Sequence, residues 1–196
     1  MLKMKITLEF LNKFNVCSEE IKFVTKKDLI GLEAVDFIKK LISYNKLQWA
    51  NCITVRGLCD IDRISYAVFA AEQVIDIFEN KYPDDDIPRK AIEVAKCYII
   101  NLSSVVADVA YTAAEATRVV ADVADDIAAA YAARATVYTA RATVYTAAEA
   151  THATARAADA AALAAAYAAY AAHDTGAEMF LKIIKNGIKL LKESTK

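Results

Sequence analysis

Lys81-Tyr82-Pro83-Asp84-Asp85-Asp86-Ile87-Pro88-Arg89-Lys90-Ala91-Ile92-Glu93 contains both prolines of a chain of 196 residues. Proline has no N–H to give to a helix, and it pushes the residue before it out of the helical region. A helix arriving from the N-terminal side must therefore stop before Pro83. Pro88 suits the first turn of the next helix, where an N–H would be unsatisfied in any case. Asp84, Asp85 and Asp86 precede that start, where free N–H groups and the positive end of the helix dipole favour carboxylates. Asp86 is the candidate cap. Pro83, Asp84, Asp85, Asp86, Pro88 and Arg89 are thus read as a structural corner. The three aspartates are also hard oxygen ligands, but they lack the alternating spacing of a calcium loop, and capping explains them more simply.

Downstream of the corner, residues 89–175 contain neither glycine nor proline, and alanine makes up about half of the middle of this tract. Alanine is the best helix former, so the tract is predicted to be helical. As one unbroken helix it would run about 130 Å at ~1.5 Å per residue, whereas a compact domain of this size is about 40 Å across. The tract must fold back or project, and folding into several antiparallel helices is the favoured reading. Ser103, Asp125-Asp126 and Thr151 to Thr154 are the candidate breaks, and His173-Asp174-Thr175-Gly176 is a stop.

Within the tract Ala133-Arg134-Ala135-Thr136-Val137-Tyr138-Thr139 recurs verbatim as Ala140-Arg141-Ala142-Thr143-Val144-Tyr145-Thr146. The period of seven places Tyr131, Tyr138, Tyr145 and His152 along one side of a helix, with Arg134 and Arg141 in a neighbouring row. Two readings are open. The rings close over an adjacent helix with their hydroxyls wet, or they form an exposed aromatic-arginine stripe of the kind enriched in binding hot spots.

Upstream of the corner the apolar residues recur at helical spacing. Ile6, Leu8, Phe10, Leu11 and Phe14 outline a first short helix, and Ser18 starts a second. Thr25-Lys26-Lys27-Asp28 fits a capping box for a third, running from Leu29 to a stop at Asn45. A further helix over Leu47 to Gly57 follows. Asp60 or Asp62 is predicted to cap a long one carrying Ile64, Ala67, Val68, Ala71, Val74, Ile75 and Phe78. No segment sustains the period-two alternation of a strand. After Gly176, Met179, Phe180, Ile183, Ile184, Ile188 and Leu191 line one helical face, and Lys182, Lys185, Lys189 and Lys192 another. Such a helix can lie on a membrane or dock on its own domain, and docking is the preferred reading. Gly187 weakens it mid-length.

The predicted fold is therefore all-α, a multi-helix bundle whose alanine-rich C-terminal half packs tightly. It divides into a mixed helical part over 1–100, the alanine-rich tract over 101–175 and an amphipathic helix over 176–196, within one structural domain.

Leu47-Gln48-Trp49-Ala50-Asn51, then Ile64 to Glu79 (ISYAVFAAEQVIDIFE), then the corner from Tyr82 to Glu93 resemble a bacterial and phage family of immunity-like proteins associated with polymorphic-toxin conflicts. The likeness covers about half of the chain and includes an alanine-rich repeat tail. The Thr-Val-Tyr units and the length of the tail depart from it. The resemblance implies an all-helical protein that neutralises a cognate toxin and points to no catalytic residues. From the residues themselves, with no CxxC pair and two distant histidines, no cofactor or metal is expected.

Composition narrows the classes further. The formal net charge of −1 lacks the basic footprint of a nucleic-acid binder. No signal-like apolar run opens the chain, and the most membrane-like stretch, 160–172, falls short of the ~20 residues a span requires. Cys17, Cys52, Cys59 and Cys97 form no CxxC pair and are read as buried thiols of a reducing cytoplasm. No phosphate loop, GxGxxG, HExxH or GxSxG motif occurs. The leading expectation is a non-enzymatic module with a protein partner, without nucleic acid or a membrane span. A self-assembling helical module, making a homo-oligomer through the alanine tract, is the alternative. An enzyme with spatially assembled carboxylates is the weaker one.

Overall fold

The computed structural model describes residues 4–13, 18–101, 131, 133–135, 137–139 and 176–194. The described helices are α1 (Leu8–Lys13), α2 (Ser18–Lys26), α3 (Ala34–Ser43), α4 (Leu47–Gly57), α5 (Asp60–Glu72), α6 (Ile75–Lys81), α7 (Ile87–Asn101) and α8 (Gly176–Glu193). The pieces of 131–139 that are described are helical too. No strand occurs among the described residues, and the fold is all-α.

The first turn of chain departs from the expected helix. Ile6 is extended: its N–H donates to Leu32 O at 2.9 Å, and its own carbonyl accepts from Gly31 N–H at 2.8 Å. Lys5 and Glu33 form a single antiparallel bridge. Gly31 turns this crossing with φ of +89°, a conformation open to glycine at no steric cost. Ile6 is thereby fully buried while Leu8 stays exposed. Thr7 caps α1, its Oγ1 accepting the Phe10 N–H at 3.1 Å.

The Thr25 to Asp28 capping box does not form. Thr25 lies inside α2 and donates its hydroxyl to Ile21 O at 2.8 Å. The segment is a helix C-terminus. Leu29 N–H donates to Val24 O and Asp28 N–H to Thr25 O, with Asp28 in the left-handed region at φ +53°. This is a Schellman motif, and its apolar pair, Val24 and Leu29, is buried. The following helix consequently starts at Ala34 rather than at Leu29. It ends the same way, at Asn45 as the sequence predicts. Lys46 N–H donates to Leu41 O and Asn45 N–H to Ile42 O, with Asn45 at φ +56°.

Ile64, Ala67, Val68, Ala71, Val74, Ile75 and Phe78 are all buried, as their spacing requires. They belong to two helices, because the chain turns at Gln73 and Val74 before α6 begins. Neither glycine nor proline stands at this turn, so nothing local in the sequence marks it. Cys59, not Asp60 or Asp62, occupies the N-cap position of α5.

Helix α8 organises the core. It packs on α3, α4 and α5, while α3 packs on α4 and α5 on α7. Phe180, Ile183, Ile184, Ile188 and Leu191 are buried, and Lys182, Lys185, Lys189 and Lys192 are exposed. The helix docks on its own domain, so its apolar face is not available to a lipid surface. At Gly187 it comes close to both α4 and α5. A β-carbon there would lie 2.3 Å from Thr54 Cγ2 and 2.7 Å from Tyr66 Cε2, so the missing side chain is what admits α8 between α4 and α5. Gly57 does the same lower on α4, where a β-carbon would meet Leu191 Cδ2 and Met4 Cε at 2.9 Å.

Part of the alanine tract closes over α5. Ala133, Ala135, Val137 and Thr139 are buried. The Thr139 hydroxyl lies 2.8 Å from Ala135 O and 3.1 Å from Ala67 O, within hydrogen-bond reach of both. At this point the tract folds back on the N-terminal helices instead of projecting.

Candidate partner-binding surface

The proline-aspartate corner is built as a clamp between α6 and α7. Asp85 Oδ1 accepts the N–H of Ile87, the first residue of α7, at 3.0 Å. Asp85 therefore does the capping that the sequence assigned to Asp86. The Asp86 carboxylate instead pairs with Lys90 one turn on, at 2.8 Å. Pro83 and Asp84 are exposed and Pro88 is buried. Arg89 reaches back to α6 with both arms of its guanidinium: Nε lies 2.6 Å from Glu79 Oε1, Nη2 2.5 Å from Glu79 Oε2, and Nη2 3.3 Å from Asp76 Oδ1. This bidentate pair holds the Glu79 carboxyl below its ordinary value, the hydrogen bonds from Arg89 being the largest cause. A second pin joins α5 to α7, where Lys96 Nζ sits 2.8 Å from Glu72 and 2.7 Å from Glu93. Asp85, Asp86 and Arg89 are engaged within the fold, and Pro83 to Asp86 line an open depression with Lys81, Tyr82 and Ile87. Among the described residues no three His, Cys, Asp or Glu side chains come together as a metal site.

Of the tyrosine-arginine row, Tyr131, Arg134 and Tyr138 are described, and Arg141, Tyr145 and His152 lie outside the described residues. Tyr131 and Tyr138 are half-buried and pack against the core, while Arg134 is exposed with its guanidinium 5.6 Å from the centre of the Tyr131 ring. These two rings pack against the core, as the packed reading expects of them.

Cys59 and Cys97 are exposed and Cys52 is half-buried, which corrects the expectation of buried thiols, and Cys17 lies outside the described residues. The Cys59 thiol is 3.1 Å from Asp62 Oδ2, and the same carboxylate oxygen accepts from Ser194 Oγ. Desolvation first, then the hydrogen bond and charge of Asp62, raise the Cys59 pKa. A raised pKa keeps the group a thiol and works against nucleophilic use.

The surface with binding character lies elsewhere, where the end of α2 meets the turn between α3 and α4. The Phe23 ring sits 5.5 Å from that of Tyr44 and 5.4 Å from that of Trp49, both edge-on. Lys27 Nζ stands 5.0 Å above the Tyr44 ring. Lys46 Nζ stands 4.7 Å above Trp49 and 5.4 Å above Phe23. Such ammonium-ring contacts stabilise by about 0.5–1 kcal/mol when exposed. Tyr44 is 37% exposed, and Phe23, Lys46 and Trp49 are half-exposed. The two left-handed helix ends aim the group: Asp28 follows Lys27 directly, and Asn45 stands between Tyr44 and Lys46. Beside it Trp49 borders a dimple of about 20 Å³, rimmed by Glu20, Cys52 and Arg56 over a floor of Leu11, Val24 and Leu41.

This cluster was not anticipated from the sequence. Two local signals pointed to it: Phe23 and Lys27 are four residues apart on one helix, and Lys46 and Trp49 are three apart. Helical neighbours at those spacings share a face. What joins the two pairs is tertiary packing.

Comparison of the chain with family models, curated proteins and solved structures finds no match. Among the described residues, no helix is long and apolar enough to cross a membrane.

Proposed function

We propose that this chain is a non-enzymatic, all-α protein-binding module of the immunity type, which neutralises a partner protein, by the resemblance a toxin, by covering its functional surface. One observation carries the reading: the Phe23-Tyr44-Trp49 cluster, ringed by Lys27 and Lys46 and mounted on helices that are packed into the core. Tryptophan and tyrosine dominate binding hot spots because they bury much surface for few rotatable bonds, and they work best on a rigid support. Here both turn ends are locked by Schellman hydrogen bonds and both following helices contact α8 or its neighbours. The likeness of the Trp49 segment and the corner to immunity-like proteins supports the same class. The self-assembling alternative draws less support from the described part of the tract, where Ala133, Ala135, Val137 and Thr139 are already buried within the chain and Thr139 meets α5.

The test is affinity capture on the tagged full-length chain from its native host, followed by co-expression of the captured protein with and without the chain. The reading predicts a discrete protein partner, encoded in the neighbouring reading frame, whose toxicity the chain suppresses. Recovery of the chain's own copies alone, as a defined oligomer, would favour the self-assembling module instead.

A further inference from the structure

The aromatic cluster carries four hydrogen-bond donors with no protein acceptor among the described residues: the Lys27 and Lys46 ammoniums, which stand over its rings, the Tyr44 hydroxyl and the Trp49 indole N–H. Lys27 and Lys46 touch only ring faces there. Three lysines elsewhere show the partner such a group takes, with Lys39 on Asp36, Lys90 on Asp86 and Lys96 on Glu72 and Glu93. The patch is therefore an apolar platform with a surplus of positive charge and of donors, in a chain whose net charge is −1. A partner that covers it must bring acceptors, because a donor desolvated without one costs about 1–3 kcal/mol. Carboxylates serve best, since they accept from ammonium and indole alike and form charge-assisted bonds roughly twice as strong as neutral ones.

We infer that this patch receives an acidic segment of a protein partner, an apolar or aromatic side chain flanked by Asp or Glu, with the apolar group on the Phe23, Tyr44 and Trp49 rings and the carboxylates on Lys27 and Lys46. The inference rests on the protein-binding reading above and assigns the chemistry of its contact. Two separated ammoniums do not make the continuous basic track that a nucleic-acid backbone follows, so a polypeptide is the favoured polyanion. The dimple beside Trp49 offers room for no more than a small group from the partner.

The experiment pans a random displayed peptide library on the intact full-length chain, with a twelve-base single-stranded oligonucleotide as a parallel probe. The inference predicts enrichment of peptides that pair Asp or Glu with an apolar residue. It predicts hydrogen-exchange protection confined to the α2 end and the α3–α4 turn, and affinity that falls as salt rises. K27Q/K46Q should weaken the selected peptides at least tenfold and flatten the salt dependence. Because Lys46 stands at the start of α4, the single variant K27Q, on an exposed residue, is measured beside it and should lose several-fold by itself. Enriched peptides without acidic bias, protection elsewhere on the bundle, tighter binding of the oligonucleotide, or unchanged affinity in both variants would each overturn it. If those failures occur while host capture still yields a protein that the chain neutralises, the acidic-segment inference falls and the protein-binding reading stands. If neither peptides nor a host protein bind, both fall.

Discussion

The Tyr66 hydroxyl donates to Asn51 Oδ1 at 2.9 Å, with both side chains sealed from solvent. This bond ties α5 to α4 beneath α8 and fixes the tyrosine ring whose edge Gly187 passes. Tyr66→Phe keeps the ring and removes one buried hydrogen bond to the Asn51 side-chain oxygen. It should cost about 1–3 kcal/mol, read as a lower urea midpoint at unchanged slope.

Gly187→Ala sets helix propensity against packing. In an exposed helix the change would stabilise by about 1 kcal/mol. Here the new methyl would fall 2.3 Å from Thr54 Cγ2 and 2.7 Å from Tyr66 Cε2, which forces α8 away from two helices at once. Overpacking of this kind costs about 1–3 kcal/mol or more, so packing wins and the protein should melt earlier. A melting temperature at or above wild type would contradict the close approach of α8.

At the corner, Asp85→Ala should cost about 1 kcal/mol, the usual loss of a helix cap. Asp86→Ala removes only an exposed pair with Lys90 and should stay within ~0.5 kcal/mol. Chemical denaturation of the two variants side by side separates them, and a reversed order would restore Asp86 as the cap.

The Arg89-Glu79 clamp gives stability a pH dependence of defined sign. The Glu79 pKa is lowered in the folded chain from its ordinary 4.5. The unfolded chain therefore binds this proton first as pH falls. The clamp's contribution is fully present above about pH 4.5 and is lost as pH drops through the depressed folded value. Both partners are about one-third exposed, so solvent screens the pair and the effect is modest. Glu79→Gln should destabilise at pH 7 and show a shallower loss between pH 5 and pH 3 than wild type. Parallel pH profiles of the denaturation midpoint would reject the assignment.

Periodicity made the core legible before the fold was known. The spacing that marks Ile64 through Phe78 and Phe180 through Leu191 reports one buried face, and burial is what those residues do. Boundaries were harder, because competing local patterns share residues. Thr25 to Asp28 satisfies a capping-box pattern, yet burial of Val24 against Leu29 makes it a helix end. Ile6 reads as helical by spacing, yet one bridge to the Gly31 turn extends it, a contact too short to leave an alternating pattern. The turn at Gln73 has no punctuating residue. Gly187 reads locally as a weakness, and only the approach of Thr54 and Tyr66 explains it. The candidate surface was the least legible part, since Phe23 and Lys27 come from one helix end and Tyr44, Lys46 and Trp49 from another. Their meeting depends on two left-handed residues, Asp28 and Asn45, and on Phe23 of α2 reaching Tyr44 and Trp49.

The measurement that bears most directly on the central claim is the affinity of the host-captured protein for Tyr44→Ala and for Tyr138→Ala, each with its own thermal melt. Tyr44 is partly exposed on the proposed surface, whereas Tyr138, in the tyrosine-arginine row, packs against the core. The account predicts that Tyr44→Ala binds roughly thirtyfold more weakly, about 2 kcal/mol, while melting close to wild type. It predicts that Tyr138→Ala melts earlier and, where folded, binds as wild type does. Full affinity in Tyr44→Ala together with lost affinity in a stably folded Tyr138→Ala would place the partner on the tyrosine-arginine row and contradict the account.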